Sequence, residues 1–83
     1  MKLTKENVCV FIDNNDKLEK AKEILNKYNQ VIDKDCPFIF DEYGKWLKLY
    51  TVGQGWYIGN DQRHLFTEIT LSELEEILKN EVK

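Results

Sequence analysis

The segment WLKLYTVGQGWYI, residues 46–58, predicts a β-hairpin. From Trp46 to Val52 the side chains alternate between two faces, as they do along a strand, and a second strand starts at Trp56. The loop between them, Gly53 to Gly55, contains glycines that can adopt the positive φ angles of a short hairpin connection. The segment therefore predicts two antiparallel strands rich in aromatic residues.

Further strands on both sides extend this hairpin into a meander. We expect one strand to open with Phe38, Ile39 and Phe40, and another to run from Arg63 to Thr67 after a turn. Near the start of the chain, Asn7 to Asp13 is apolar on both of its alternating faces. A strand of that kind is typically central in its sheet and covered on each side.

Two segments of helical periodicity complete the pattern. Asp16 to Tyr28 and Leu71 to Val82 carry apolar residues at the spacing of one helix face. Thr70, followed three residues later by Glu73, is a capping box that predicts the start of the second helix. The whole pattern predicts one α+β domain over residues 1–83, an antiparallel meander of three to five strands with two helices, in the order β-α-β-β-β-(β)-α.

Charge and hydropathy limit the classes of function. The 83 residues include 12 basic and 15 acidic side chains, and the net charge of −3 argues against a dedicated nucleic-acid-binding protein. No segment approaches the ~20 apolar residues that are needed to cross a bilayer. The opening residues MKLTKENVCVFID do not resemble a signal peptide. We therefore expect a cytoplasmic protein that makes no membrane contact.

The residue types of catalytic and metal sites do not occur in a useful pattern. The only histidine is His64, and Cys9 and Cys36 lie too far apart for a zinc motif. Ser72, the only serine, falls in the first turn of a predicted helix, and the glycines are too sparse for a dinucleotide-binding loop. We expect no catalytic residue, no metal and no cofactor, and the redox state of the two cysteines stays open.

One group of aromatic residues in the predicted meander favours a binding function. Five aromatic residues lie within one stretch of the predicted meander: Tyr43, Trp46, Tyr50, Trp56 and Tyr57. If the leucines of the first hairpin strand face the helices, then Trp46, Lys48 and Tyr50 face the other side of the sheet. Such a surface is typical of protein-binding hot spots, and it would also suit stacking on nucleobases. The alternative is that these rings form a second small core or pair across strands.

The order of the elements also resembles a known class of protein. A short apolar strand, a Lys-, Glu- and Leu-rich helix, an aromatic meander with WYIGND at 56–61 and a closing EITLSELEEIL at 68–78 resemble small uncharacterised proteins encoded by bacteriophages and prophages. The resemblance covers nearly the whole chain and implies an α+β fold, but it assigns no functional residue. Such proteins commonly bind a host factor, including components of antiviral defence systems such as CRISPR or cyclic-nucleotide signalling.

We therefore expect a non-enzymatic protein that binds a host protein and inhibits or modulates it. The expected contact residues are Trp46, Lys48, Tyr50, Trp56 and Tyr57, with Arg63 and His64 at the polar rim. The alternative is a protein that sequesters a nucleotide or another small ligand, in which Lys48 and Arg63 would meet phosphate. An oligomer would help that alternative, because a chain this short offers little concavity.

Overall fold

The elements of the fold follow one another with short connections, apart from one long one. The structure, a computed structural model, describes residues 3–51, 55–60 and 66–81. Its elements are β1 (Val8–Ile12), α1 (Asn15–Lys27), β2 (Lys45–Thr51), β3 (Gly55–Gly59), β4 (Thr67–Glu68) and α2 (Leu71–Glu81). Two helices and a four-stranded sheet confirm the predicted α+β class.

The sheet has the strand order β3-β2-β1-β4. β2 pairs antiparallel with both β1 and β3, but β1 and β4 are parallel. The parallel pair departs from the predicted all-antiparallel meander, and it has a topological reason. Each of these two strands leads directly into a helix, and parallel strands place both helix N-termini at the same end of the sheet. As predicted, β1 is central.

The long connection between α1 and β2, residues 28–44, does not contain the strand that was expected to open with Phe38, Ile39 and Phe40. The N–H of Ile39 instead donates to the carbonyl of Pro37 at 2.8 Å, which makes a tight turn. Phe38 and Phe40 are half-buried and pack against the core. The apolar pattern that predicted a strand here thus arises from loop residues that cover the core.

The core lies between the two helices and one face of the sheet. It combines Leu18, Ala21 and Leu25 of α1 and Leu74 and Leu78 of α2 with Val8, Val10, Ile12, Leu47, Leu49, Trp56 and Ile58 of the strands and with Ile69. We call this side of the sheet the helix face. The opposite side, which we call the distal face, carries Cys9, Phe11, Trp46, Lys48 and Tyr57.

Both helices begin at side-chain caps. The Asn14 side chain accepts a hydrogen bond from the N–H of Lys17 at 2.8 Å, so α1 begins at Asn15. Thr70 and Glu73 form the predicted capping box, in which each backbone N–H donates to the other residue's side chain, at 3.0 and 3.2 Å. Within the described ranges, neither helix has the length and apolarity to cross a bilayer.

Candidate functional site

Trp56 lies in the core and not on a contact surface. In the β2–β3 register it is opposite Leu49, so both side chains point to the helix face. Its side chain is 0% exposed, and the indole N–H donates to Oε1 of Gln30 at 3.1 Å. The expectation that Trp56 contacts a partner is therefore wrong, because its ring is needed to fill the space between β3 and the helices.

Lys48 points away from the helices, as predicted, but it is buried. Only 1% of the residue is exposed, and its ammonium lies 5.2 Å from the centre of the Tyr57 ring across the β2–β3 ladder. The buried Cys9 is opposite Lys48 on the other neighbouring strand. In this position the Lys48 ammonium is not presented to a partner or to a phosphate group.

The aromatic residues of the distal face pack against one another. The rings of Phe11 and Trp46, which are opposite each other on β1 and β2, lie 4.9 Å apart at an interplanar angle of 53°. Phe11, Trp46 and Tyr57 are each half-buried. Cross-strand packing of this kind is what the alternative interpretation of the aromatic set described.

Three of the predicted contact residues cannot be placed on this face. Arg63 and His64 lie outside the described residues, as does the side chain of Tyr50. The predicted polar rim and the predicted phosphate contact of Arg63 therefore stay predictions.

The large apolar side chains that the structure leaves most exposed all belong to the α1–β2 connection. Within the described residues they are Val31 at 59%, Ile39 at 64% and Tyr43 at 82%. Pro37 is also exposed and lines the same shallow groove as Ile39. We call Pro37, Ile39 and Tyr43 the connection surface. Of these three, the sequence pattern had brought only Tyr43 into the aromatic set.

Tyr43 is held by a well-defined turn. Its backbone N–H donates to Oδ1 of Asp41 at 2.9 Å, and the N–H of Gly44 donates to the carbonyl of Asp41 at 3.1 Å. Gly44 has a φ of +83°, and a Cβ there would lie 2.5 Å from the Phe11 ring. Lys45 closes the turn with an ion pair to Oδ2 of Asp41 at 2.9 Å. The exposed phenol therefore projects from an ordered backbone.

The carboxyl of Asp41 should titrate at lower pH than an ordinary aspartate. The Lys45 ammonium and the Tyr43 N–H hold the pKa of Asp41 below its usual value of 3.8. Because the folded pKa is depressed, this contribution to stability is present above pH 3.8 and is lost as the pH falls through the folded value. An NMR titration of the side-chain carboxyl carbon measures this pKa.

Lys45→Met is the matched control for that titration, because it removes the ammonium and keeps the Tyr43 hydrogen bond. We expect the pKa of Asp41 to rise toward 3.8 in this variant. An Asp41 pKa that is the same in Lys45→Met as in the wild type would contradict the ion pair.

The helices enclose a second groove, of about 350 Å³. It is lined by two lysines and two glutamates, and one pair is joined directly, since Lys27 donates to Glu75 at 2.9 Å and the Tyr28 hydroxyl donates to the same carboxylate at 3.2 Å. The Lys27 ammonium also lowers the pKa of Glu75. These contacts tie α1 to α2 and present no single charge to a ligand.

In the described part of the chain, no group of three or more His, Cys, Asp or Glu residues is placed to hold a metal ion. The comparisons add no functional assignment: the chain matches no protein-family model, no curated protein and no solved structure.

Proposed function

We propose that this protein is a non-enzymatic binding protein that acts by contact with another protein, as phage accessory proteins do with host factors. The observation that carries the proposal is Tyr43, which is 82% exposed on an ordered turn. Tyrosine is enriched among binding hot spots because it offers a large rigid surface with a polar end. A residue that is already held in place also loses little entropy on binding.

The grouping of exposed apolar residues supports the same proposal. Single exposed apolar residues are normal on a protein surface. Here Pro37 and Ile39 line one groove, and Asp41 of the same groove accepts the N–H of Tyr43. Contiguous apolar surface rimmed by polar groups is typical of interaction sites.

The proposed contact is therefore the connection surface and not the distal face. The burial of Lys48 removes one of the two cations on which the nucleotide-sequestering alternative relied, the other being Arg63. The burial of Trp56 removes one of the rings that would have stacked on a base. Lys48 and Trp56 were also expected contacts of a protein partner, so the choice of a protein partner rests on the connection surface and not on their burial.

Tyr43→Ala should weaken partner binding by about 1–2 kcal/mol, or roughly five- to thirtyfold in Kd, because the variant loses a hot-spot ring. Its melting temperature should stay close to that of the wild type, since the side chain is almost fully exposed. The partner is first captured from a bacterial host lysate with tagged wild type, identified by mass spectrometry and purified. Calorimetry then gives the Kd values.

Glu76→Ala is the matched control, because it truncates an exposed side chain on α2, far along the chain from the connection surface. It should leave the Kd unchanged. If Tyr43→Ala binds the purified partner as tightly as Glu76→Ala does, the connection surface is not the contact.

A further inference from the structure

The outer edge of β3 is only partly occupied. β3 is the last strand of the sheet, with β2 on its inner side. On its outer side the α1–β2 connection makes one parallel bridge, between Ile32 and Trp56. The N–H of Trp56 donates to the Val31 carbonyl at 2.8 Å, and the N–H of Asp33 donates to the Trp56 carbonyl at 2.9 Å.

Two residues further on, the same edge continues without a backbone partner. In an antiparallel ladder, alternate residues direct both their N–H and their C=O away from the neighbouring strand. Trp56 does so, and Ile58 therefore does so as well. The Ile58 carbonyl accepts only the thiol of Cys36, with Sγ at 3.4 Å, which is a weak donor. Among the described residues, no backbone group pairs with the outer side of Ile58.

The connection runs beside this edge but cannot complete the ladder. The N–H of Cys36 donates to the Asp33 carbonyl at 3.4 Å, and Pro37 has no N–H. The N–H of Ile39 is used within the connection, by the Pro37 carbonyl. The N–H of Asp35, which would continue the ladder to the Ile58 carbonyl, donates instead to Oδ1 of Asp33 at 2.9 Å, and this half of the edge is left open.

A shallow groove of about 300 Å³ lies against the open half of the edge. Its apolar wall is formed by Pro37 and Ile39, and Ile58 and Gly59 lie beside them. Its polar wall holds the Asp41–Lys45 ion pair, whose ammonium also donates to the side chain of Asn60. A chain laid along β3 would find backbone groups, apolar surface and polar groups side by side.

The charge around the groove indicates what kind of chain would fit. Residues 28–45 hold four carboxylates, Asp33, Asp35, Asp41 and Glu42, and two ammoniums, Lys34 and Lys45, of which Lys45 is paired with Asp41. The net charge of this stretch is therefore −2. Electrostatic complementarity favours a basic partner segment and disfavours an acidic one.

From this edge we infer that β3 accepts an extended basic segment of the partner protein as an added strand, paired with the outer N–H and C=O of Ile58. The inference rests on the proposed function and names the mode of binding. Backbone hydrogen bonds would supply affinity, and Pro37 and Ile39 would contact alternate apolar side chains. The carboxylates of the connection would select lysine or arginine at the intervening positions.

The test uses wild-type protein labelled with ¹⁵N and a capped Lys-Val-Lys-Val-Lys-Val-Lys peptide as the probe. We expect titration to shift the amide signals of Ile58 and Asn60. The same peptide with every residue N-methylated has no backbone donor on either edge, so its Kd should rise by about tenfold. A capped Glu-Val-Glu-Val-Glu-Val-Glu peptide should not bind.

Two charge-reversal variants test whether the carboxylates of the connection favour the basic peptide. Glu42 is an exposed residue of the connection and Glu76 an exposed residue of α2. Glu42→Lys should raise the Kd of the basic peptide by about three- to tenfold. Glu76→Lys makes the same change of charge away from the groove and should leave the Kd near the wild-type value.

Strand addition is overturned if the basic peptide does not bind, if the N-methylated peptide binds as tightly, or if the shifted signals lie on α2. These failures are distinguishable from failure of the proposed function, which is judged by Tyr43→Ala and the purified partner. Loss of partner affinity in Tyr43→Ala together with no peptide binding would retain the binding protein and reject the added strand.

Discussion

Replacing Trp56 by alanine should lower the free energy of unfolding by about 3–5 kcal/mol. The ring is fully buried between β3 and the helices, and the indole N–H is satisfied by Gln30. Alanine would leave a large cavity and an unpaired side-chain amide. Because small domains have a total stability of about 5–15 kcal/mol, the loss should be visible in urea or thermal unfolding followed by circular dichroism.

Tyr43→Ala is the natural contrast, since it removes an aromatic ring of similar size from an exposed position. It should unfold at nearly the same urea concentration as the wild type. The pair also tests the assignment of Trp56 to the core. A Trp56→Ala variant that unfolds like the wild type but binds the partner more weakly would restore Trp56 as a contact residue.

The class of fold could be predicted because hydrophobic periodicity reports local structure. Both helices were predicted to within one residue at each end, and the capping box of Thr70 and Glu73 marks the start of the second. The central position of β1 followed from its two apolar faces. The parallel pairing of β1 and β4 could not be predicted, because strand order depends on contacts between segments far apart in the sequence.

The faces of the hairpin strands were predicted only in part. The prediction placed Trp46 and Lys48 on one side of the sheet, and they do share the distal face. Assigning both Trp56 and Tyr57 to the same contact surface was an error that alternation alone exposes, because adjacent strand residues point to opposite faces. The burial of Lys48 had no local signal, since a lysine in a strand is ordinarily exposed.

The connection surface was missed for a different reason. Asp41 to Gly44 form a turn, and a turn at the surface leaves Tyr43 exposed. The exposure of Ile39 was not predicted, because the segment was expected to be a strand, in which apolar residues pack against a neighbour. A signal was present in Pro37, which cannot donate to a ladder and argues against a paired strand at that point.

Replacing Gly55 by alanine should lower the free energy of unfolding by about 2–4 kcal/mol. Gly55 has a φ of +97°, where a residue with a Cβ is strained. That Cβ would also lie 2.4 Å from the Val31 carbonyl oxygen, which is backbone and cannot rotate away. The same oxygen accepts the N–H of Trp56, so relief of the clash would pull the connection off the edge of β3.

Gly59→Ala provides the matched control at the other end of the same strand. Its φ is not in the positive region, and an added Cβ would meet only the edge of the Tyr57 ring, at 3.1 Å. It should stay within about 1 kcal/mol of the wild type. Hydrogen exchange gives the sharper measurement, because the Trp56 amide should exchange faster in Gly55→Ala than in Gly59→Ala. If the two variants were equally stable, the Ile32–Trp56 bridge would not hold the connection against β3. The edge without a backbone partner, described above beside Ile58, would then extend along the whole of β3.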